Sequence, residues 1–150
     1  MLREDIQNAL KEAMKNKNVL ETNAIRMIIA GQKEKDVDAR GKGKEKAEDA
    51  ELFAMMQTMI KQRRESIEMF IKGARPELAE KEEAEIKIIE RFLPKQLNQQ
   101  EVENAVKAAI KKTGAESMKD MGKVMGILRA EYAGQMDFGA VSSLIKSLLG

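Results

Sequence analysis

Three observations predict an all-α protein built in two parts. Apolar residues recur at helical spacing along nearly the whole chain, and no segment alternates like a strand. Residues suited to helix N-caps, and glycines or prolines suited to helix ends, stand at the joints between these segments. Hydrophobic residues are 43% and charged residues 35%, which is enough apolar material for a core and places the chain among folded proteins.

The first helix covers about Leu2–Lys15, with Ile6, Ala9, Leu10 and Ala13 on one face. Asn18 opens the second, with Glu21 three residues on as a capping box. The stretch Asp36–Lys46, "DVDARGKGKEK", is polar and holds two glycines, so it reads as an exposed loop. The third helix, about Ala47–Lys72, is the longest; Gly73 ends it and Pro76 suits the first turn of the fourth. That helix runs to about Phe92, where Pro94 stops it, because the residue before proline avoids the α region. Asn98 with Glu101 opens the fifth helix and Gly114 closes it. Ser117 with Asp120 repeats the box for the sixth, and Asp137 caps the seventh.

The division falls at "LPKQLN", Leu93–Asn98, giving an N-terminal helical domain over 1–95 and a three-helix tail over 96–150. A tail of that size is marginal for folding alone. Charge does not distinguish the parts: 20 basic against 19 acidic residues precede Gln96, and 7 against 6 follow it. A net charge of +2 is too balanced to argue for nucleic acid by itself.

Absences narrow the chemistry. Without Cys there is no thiol nucleophile or thiolate metal site, and without His the usual general base is missing. No cofactor and no metal site is expected. With no Trp and a single Tyr, Tyr132, stacking platforms for bases are not expected either. The eleven methionines suit an adaptable core or a groove for a partner helix. No run approaches the length of a membrane span, so no membrane partner is expected. The N-terminus shows no apolar leader, and the default expectation is a cytoplasmic protein.

Two constellations stand out. In the third helix Leu52, Met56, Met59, Ile67 and Phe70 share a stripe, and Arg63 falls inside it. A buried guanidinium needs a partner. The fourth helix offers Glu82 and Glu85 within its own apolar stripe. A structural ion pair is the first reading, and an arginine presented to a phosphate is the other. The adjoining "KQRRE" run, Lys61–Glu65, reads as a solvated face. Paired carboxylates such as Glu82/Glu83 come with no acid–base partner. Ser142 and Ser143 near Lys146 lack the strand turn that a nucleophile would use. No catalytic residue is assigned.

The second constellation is in the sixth helix. Met121, Val124, Met125, Leu128 and Tyr132 form its apolar stripe, and Gly122 and Gly126 lie beside it, among Lys119, Lys123 and Arg129. Two small residues four apart allow close approach, either of a neighbouring helix or of a phosphate-bearing strand at a bare, cation-rimmed patch.

"IRMI" (Ile25–Ile28), "KQRRESIEMF" (Lys61–Phe70), "KEEAEIKIIERFLPKQL" (Lys81–Leu97) and "TGAESMKDMGKVMGIL" (Thr113–Leu128) closely resemble the YqeY family, in order and over essentially the whole chain. The C-terminal half of that family is similar to the tail domain of the B subunit of the glutamine-dependent tRNA amidotransferase. The resemblance implies two helical domains and a tail that binds tRNA, and it carries over to the "DMGKVMG" positions, Asp120–Gly126, and neighbouring Lys119; with Arg129, which the helical projection adds, the RNA-binding candidates are Lys119, Gly122, Lys123, Gly126 and Arg129. It also carries a carbon–nitrogen ligase label with glutamine as amide donor, although the amidotransferase's catalytic motifs are absent. Three readings follow: a non-catalytic tRNA- or RNA-associated accessory module; an adaptor that joins a protein complex of translation through Met-rich faces; and an enzyme of amide-transfer type.

Overall fold

The computed structural model describes all 150 residues. The fold is all-α: seven α-helices and one 3₁₀ turn, with no strand. The helices are α1 (Leu2–Lys15), α2 (Val19–Gly41), α3 (Asp49–Lys72), α4 (Pro76–Glu90), α5 (Gln99–Thr113), α6 (Met121–Glu131) and α7 (Phe138–Leu149). The chain forms two compact units, Met1–Leu93 and Pro94–Gly150.

In the first unit α3 packs most extensively on α4, while α1 and α4 both pack on α2. The core is built from stripes of β-branched and long aliphatic residues. Ile6, Ile25, Ile28, Leu52, Met56 and Ile89 are completely enclosed, and such side chains each contribute about 1.5–3 kcal/mol through burial. Asn18 caps α2 by accepting the Glu21 backbone N–H at 3.1 Å, which satisfies one of the free donors of the first turn. Pro76 sits in the first turn of α4, where its missing N–H costs nothing.

The second unit packs α5, α6 and α7 around Val106, Val124, Leu128, Val141 and Ile145. A full capping box opens α5, with Asn98 and Glu101 each accepting the other's backbone N–H, and Gly114 in the left-handed conformation closes it. Asp137 caps α7 through the N–H groups of Gly139 and Ala140. Just before α5, the Leu97 N–H donates to the Gln135 carbonyl at 2.9 Å, and the Gln135 amide donates to the Lys95 carbonyl at 3.1 Å.

Three expectations are corrected. The polar stretch from Asp36 is not a loop at its start, because α2 continues to Gly41. Asp36 and Ala39 extend the buried stripe of Ile25 and Ile28, and Asp36 is held by Arg3. The Ser117–Asp120 capping box does not form. Ser117 precedes a 3₁₀ turn over Met118–Asp120 without capping it, and Asp120 instead accepts the Glu116 N–H at 3.1 Å. Gly122 and Gly126 do not serve close packing of helices: a Cβ on either would have nothing within 4 Å.

Candidate functional site

The sixth helix is oriented by its apolar stripe. Val124, Met125 and Leu128 are buried, with Met121 and Tyr132 packed partly against the same core. The positions beside that stripe therefore face solvent. Gly122, Lys123, Gly126 and Arg129 are all exposed, and Lys119 is exposed on the 3₁₀ turn just before. The result is a strip of uncovered helix backbone with cations along it.

These cations have no carboxylate partner. Asp120 is engaged with the Glu116 backbone, and Glu131 faces Lys112 at 3.5 Å. The guanidinium of Arg129 lies over the Phe138 ring, 5.9 Å from its centroid, which restrains the side chain while leaving its charge free. The arrangement suits a polyanion: backbone without side-chain cover admits close approach, and unpaired cations supply the electrostatic attraction.

In the first unit the structure brings Arg63, Glu82 and Glu85 together. The Arg63 Nε donates to Glu85 at 2.9 Å, and Glu82 is 3.9 Å away. Nη1 donates to the Met59 carbonyl and Nη2 to the Met27 sulfur, both at 3.3 Å. The Arg63 side chain is 8% exposed and Glu85 13%, so this is an interior ion pair and not an arginine held out toward solvent. Arg64, next in the chain, is exposed and reaches Glu90 at 3.4 Å. Ser143 donates to the Gly139 carbonyl in its own helix and meets no base.

A second polar centre was invisible as a constellation in the sequence. Arg3 donates two parallel hydrogen bonds to Asp36, at 2.9 and 2.7 Å, and a third to the Ala47 carbonyl at 2.8 Å. Asp36 also accepts the Ala47 N–H at 2.9 Å. The Arg3 hydrogen bonds hold the Asp36 carboxyl down at about 2, with the Ala47 N–H adding to the effect. The signal available in advance was spacing alone: Asp36 lies eleven residues beyond Ile25, three helical turns on, along the same face.

These features define a helical two-unit protein with an interior ion-pair centre in one unit and an open cationic helix face in the other. A family model described as Yqey-like protein matches residues 3–149, and the chain belongs to that family. It is 30% identical over 149 residues to altered inheritance of mitochondria protein 41, mitochondrial, of Pyrenophora tritici-repentis, covering 97% of this chain and 79% of that protein. The protein of the same name in Lachancea thermotolerans is 38% identical over 89 residues, 59% of this chain and 46% of the relative. In Vanderwaltozyma polyspora it is 32% identical over 122 residues, 77% and 64% of the two chains. The match thus spans about half the length of the Lachancea thermotolerans protein, as it does for the protein of the same name in Candida glabrata.

The relatives' names correct the expectation of a cytoplasmic location, since each is named as mitochondrial. That expectation rested on the lack of an apolar leader. Mitochondrial targeting segments are amphipathic and basic, so the criterion never addressed them.

Proposed function

We propose that this YqeY-family chain is a non-catalytic accessory module that holds RNA, tRNA first, on the exposed face of α6. One observation carries the reading: Gly122 and Gly126 leave backbone bare in open space, beside cations that no carboxylate neutralises. Glycine costs a helix interior about 1 kcal/mol against alanine. Internal packing does not repay it here, so a ligand that must come close to the helix does. The resemblance of this half to the amidotransferase tail supports the same assignment.

The binding is of backbone type, reading shape rather than sequence, since the one ring at this face, Phe138, is already taken up by the Arg129 guanidinium. A gel shift with unfractionated tRNA at moderate salt tests it. The wild type retards tRNA, and Lys119→Glu/Lys123→Glu/Arg129→Glu does not. Retention unchanged in the triple variant, or absent in the wild type, rejects the reading. In the same preparation the chain should release no ammonia from glutamine; measured glutaminase activity would favour the amide-transfer reading instead.

A further inference from the structure

Between α2 and α3 the first unit leaves an open trough of about 840 Å³. Along α2 and the residue that caps it the lining runs from Met27 to Lys42, and along α3 from Glu51 to Arg63. At 1.5 Å per residue that is a trough about 20 Å long, the length of a helix of roughly four turns. Its two ends differ. One is apolar: Met27, 50% exposed, faces Met55 and Met59 across the small residues Ala30, Gly31 and Ala54. The other is charged, with Glu34 and Asp38 one turn apart on α2 and Lys35 and Lys42 beside them. None of these four is in an ion pair.

Several details favour a helix over a small molecule. Small residues at the middle of the floor admit a ridge of side chains, as in helix packing. The space over Gly31 is filled by the protein's own Met55, whose sulfur would lie 2.5 Å from a Cβ there, so the exposed small positions open to a guest are Ala30 and Ala54. Methionines on the flanks reshape around a guest more readily than branched residues do. Glu34, Asp38, Lys35 and Lys42 are in no ion pair with one another, so charges of both signs at this end are open to complementary charges on a guest helix.

We infer that this trough is the docking groove for one amphipathic helix of a partner protein. That helix lays aliphatic residues at i, i+3/i+4 and i+7 along the methionine end. It sets a Lys or Arg against Glu34 and Asp38, and a carboxylate against Lys35 and Lys42.

The test uses the full chain and a labelled synthetic helix of roughly sixteen residues, with leucines on one face at one end and Lys and Glu on that face at the other. Fluorescence anisotropy should show saturable binding. Ala30→Glu/Ala54→Glu alters two solvent-facing helical positions and should weaken binding at least tenfold while the thermal midpoint stays put. Glu34→Lys/Asp38→Lys should weaken it and restore it toward a peptide whose Lys and Glu are exchanged. Equal binding by wild type and both variants overturns the inference, as does no binding at all. A wild-type dimer in sedimentation that Ala30→Glu/Ala54→Glu makes monomeric would assign the groove to a second copy. Uptake of a small apolar dye without the peptide would assign it to a small ligand. Either result also overturns the inference.

Discussion

At the scale of single residues, Gly126 separates a structural from a binding role. Because a Cβ there meets nothing, Gly126→Ala should stabilise the protein by about 0.5–1 kcal/mol, through helix propensity and a less free unfolded chain. Gly122→Ala should act in the same direction, less strongly so close to the helix start. The same substitutions should weaken tRNA retention, since a methyl group covers the backbone the ligand approaches. Urea melts and gel shifts on one preparation check both signs; a loss of stability would mean the glycines serve packing after all. Arg63 behaves oppositely. Arg63→Met leaves Glu85 and Glu82 partly buried without their cation, which should lower stability by about 2–3 kcal/mol. Adding Glu85→Leu should recover much of the loss, and a double-mutant cycle by chemical denaturation measures the coupling. A cycle that closes to zero would show the pair to be energetically silent.

At the scale of elements, Asp36 fastens three pieces of chain: α1 through Arg3, α2 on which it stands, and the entry to α3 through Ala47. Its carboxyl is depressed from 3.8 to about 2 in the folded protein. The folded state therefore prefers the ionised form, and the stabilisation is complete above the ordinary value. It fades as the pH falls from about 4 toward 2. Asp36→Asn should cost about 2 kcal/mol at neutral pH and progressively less in acid; melts of both proteins across that range check it. The centre also explains why α2 runs past the end that its composition suggests. Asp36, Asp38, Arg40 and Gly41 within six residues carry the composition of a loop, and a single long-range ion pair to Arg3 overrides it. By contrast the caps at Asn18, Asn98 and Asp137 were legible, because a cap is a local bond between residues two or three apart. Ser117 and Asp120 had the same spacing and no box. There the 3₁₀ turn takes the first residues, and Asp120 turns back to Glu116. Ala74 was equally hidden: the helix ends at Gly73, but the left-handed residue is Ala74, with φ of 56°. Ala74→Gly should thus gain up to about 1 kcal/mol, read as a rise in thermal midpoint.

At the scale of the whole molecule, the sequence pattern revealed the all-α class, because the 3.6-residue period repeats along the chain, but only part of the buried faces: in α3 it found Leu52, Met56 and Arg63 and missed Met55 and Ile60. It did not reveal the trough, which depends on how far α2 and α3 diverge and not on either helix alone. The two proposed surfaces lie in different units and rest on different forces, so salt should separate them. Three cations on α6 displacing counterions from RNA predict a slope of about −2 to −3 in log affinity against log salt. The peptide groove, anchored by methionines and carrying both signs of charge, should change far less over the same range. Retention of tRNA measured from low to moderate salt gives the first slope, and anisotropy gives the second. Lys123→Glu should flatten the RNA slope by about one and leave peptide affinity where it was. Ala30→Glu/Ala54→Glu should do the reverse. If either change moved both ligands together, the two surfaces would not act independently, and the picture of a module that joins an RNA to a protein partner would fail.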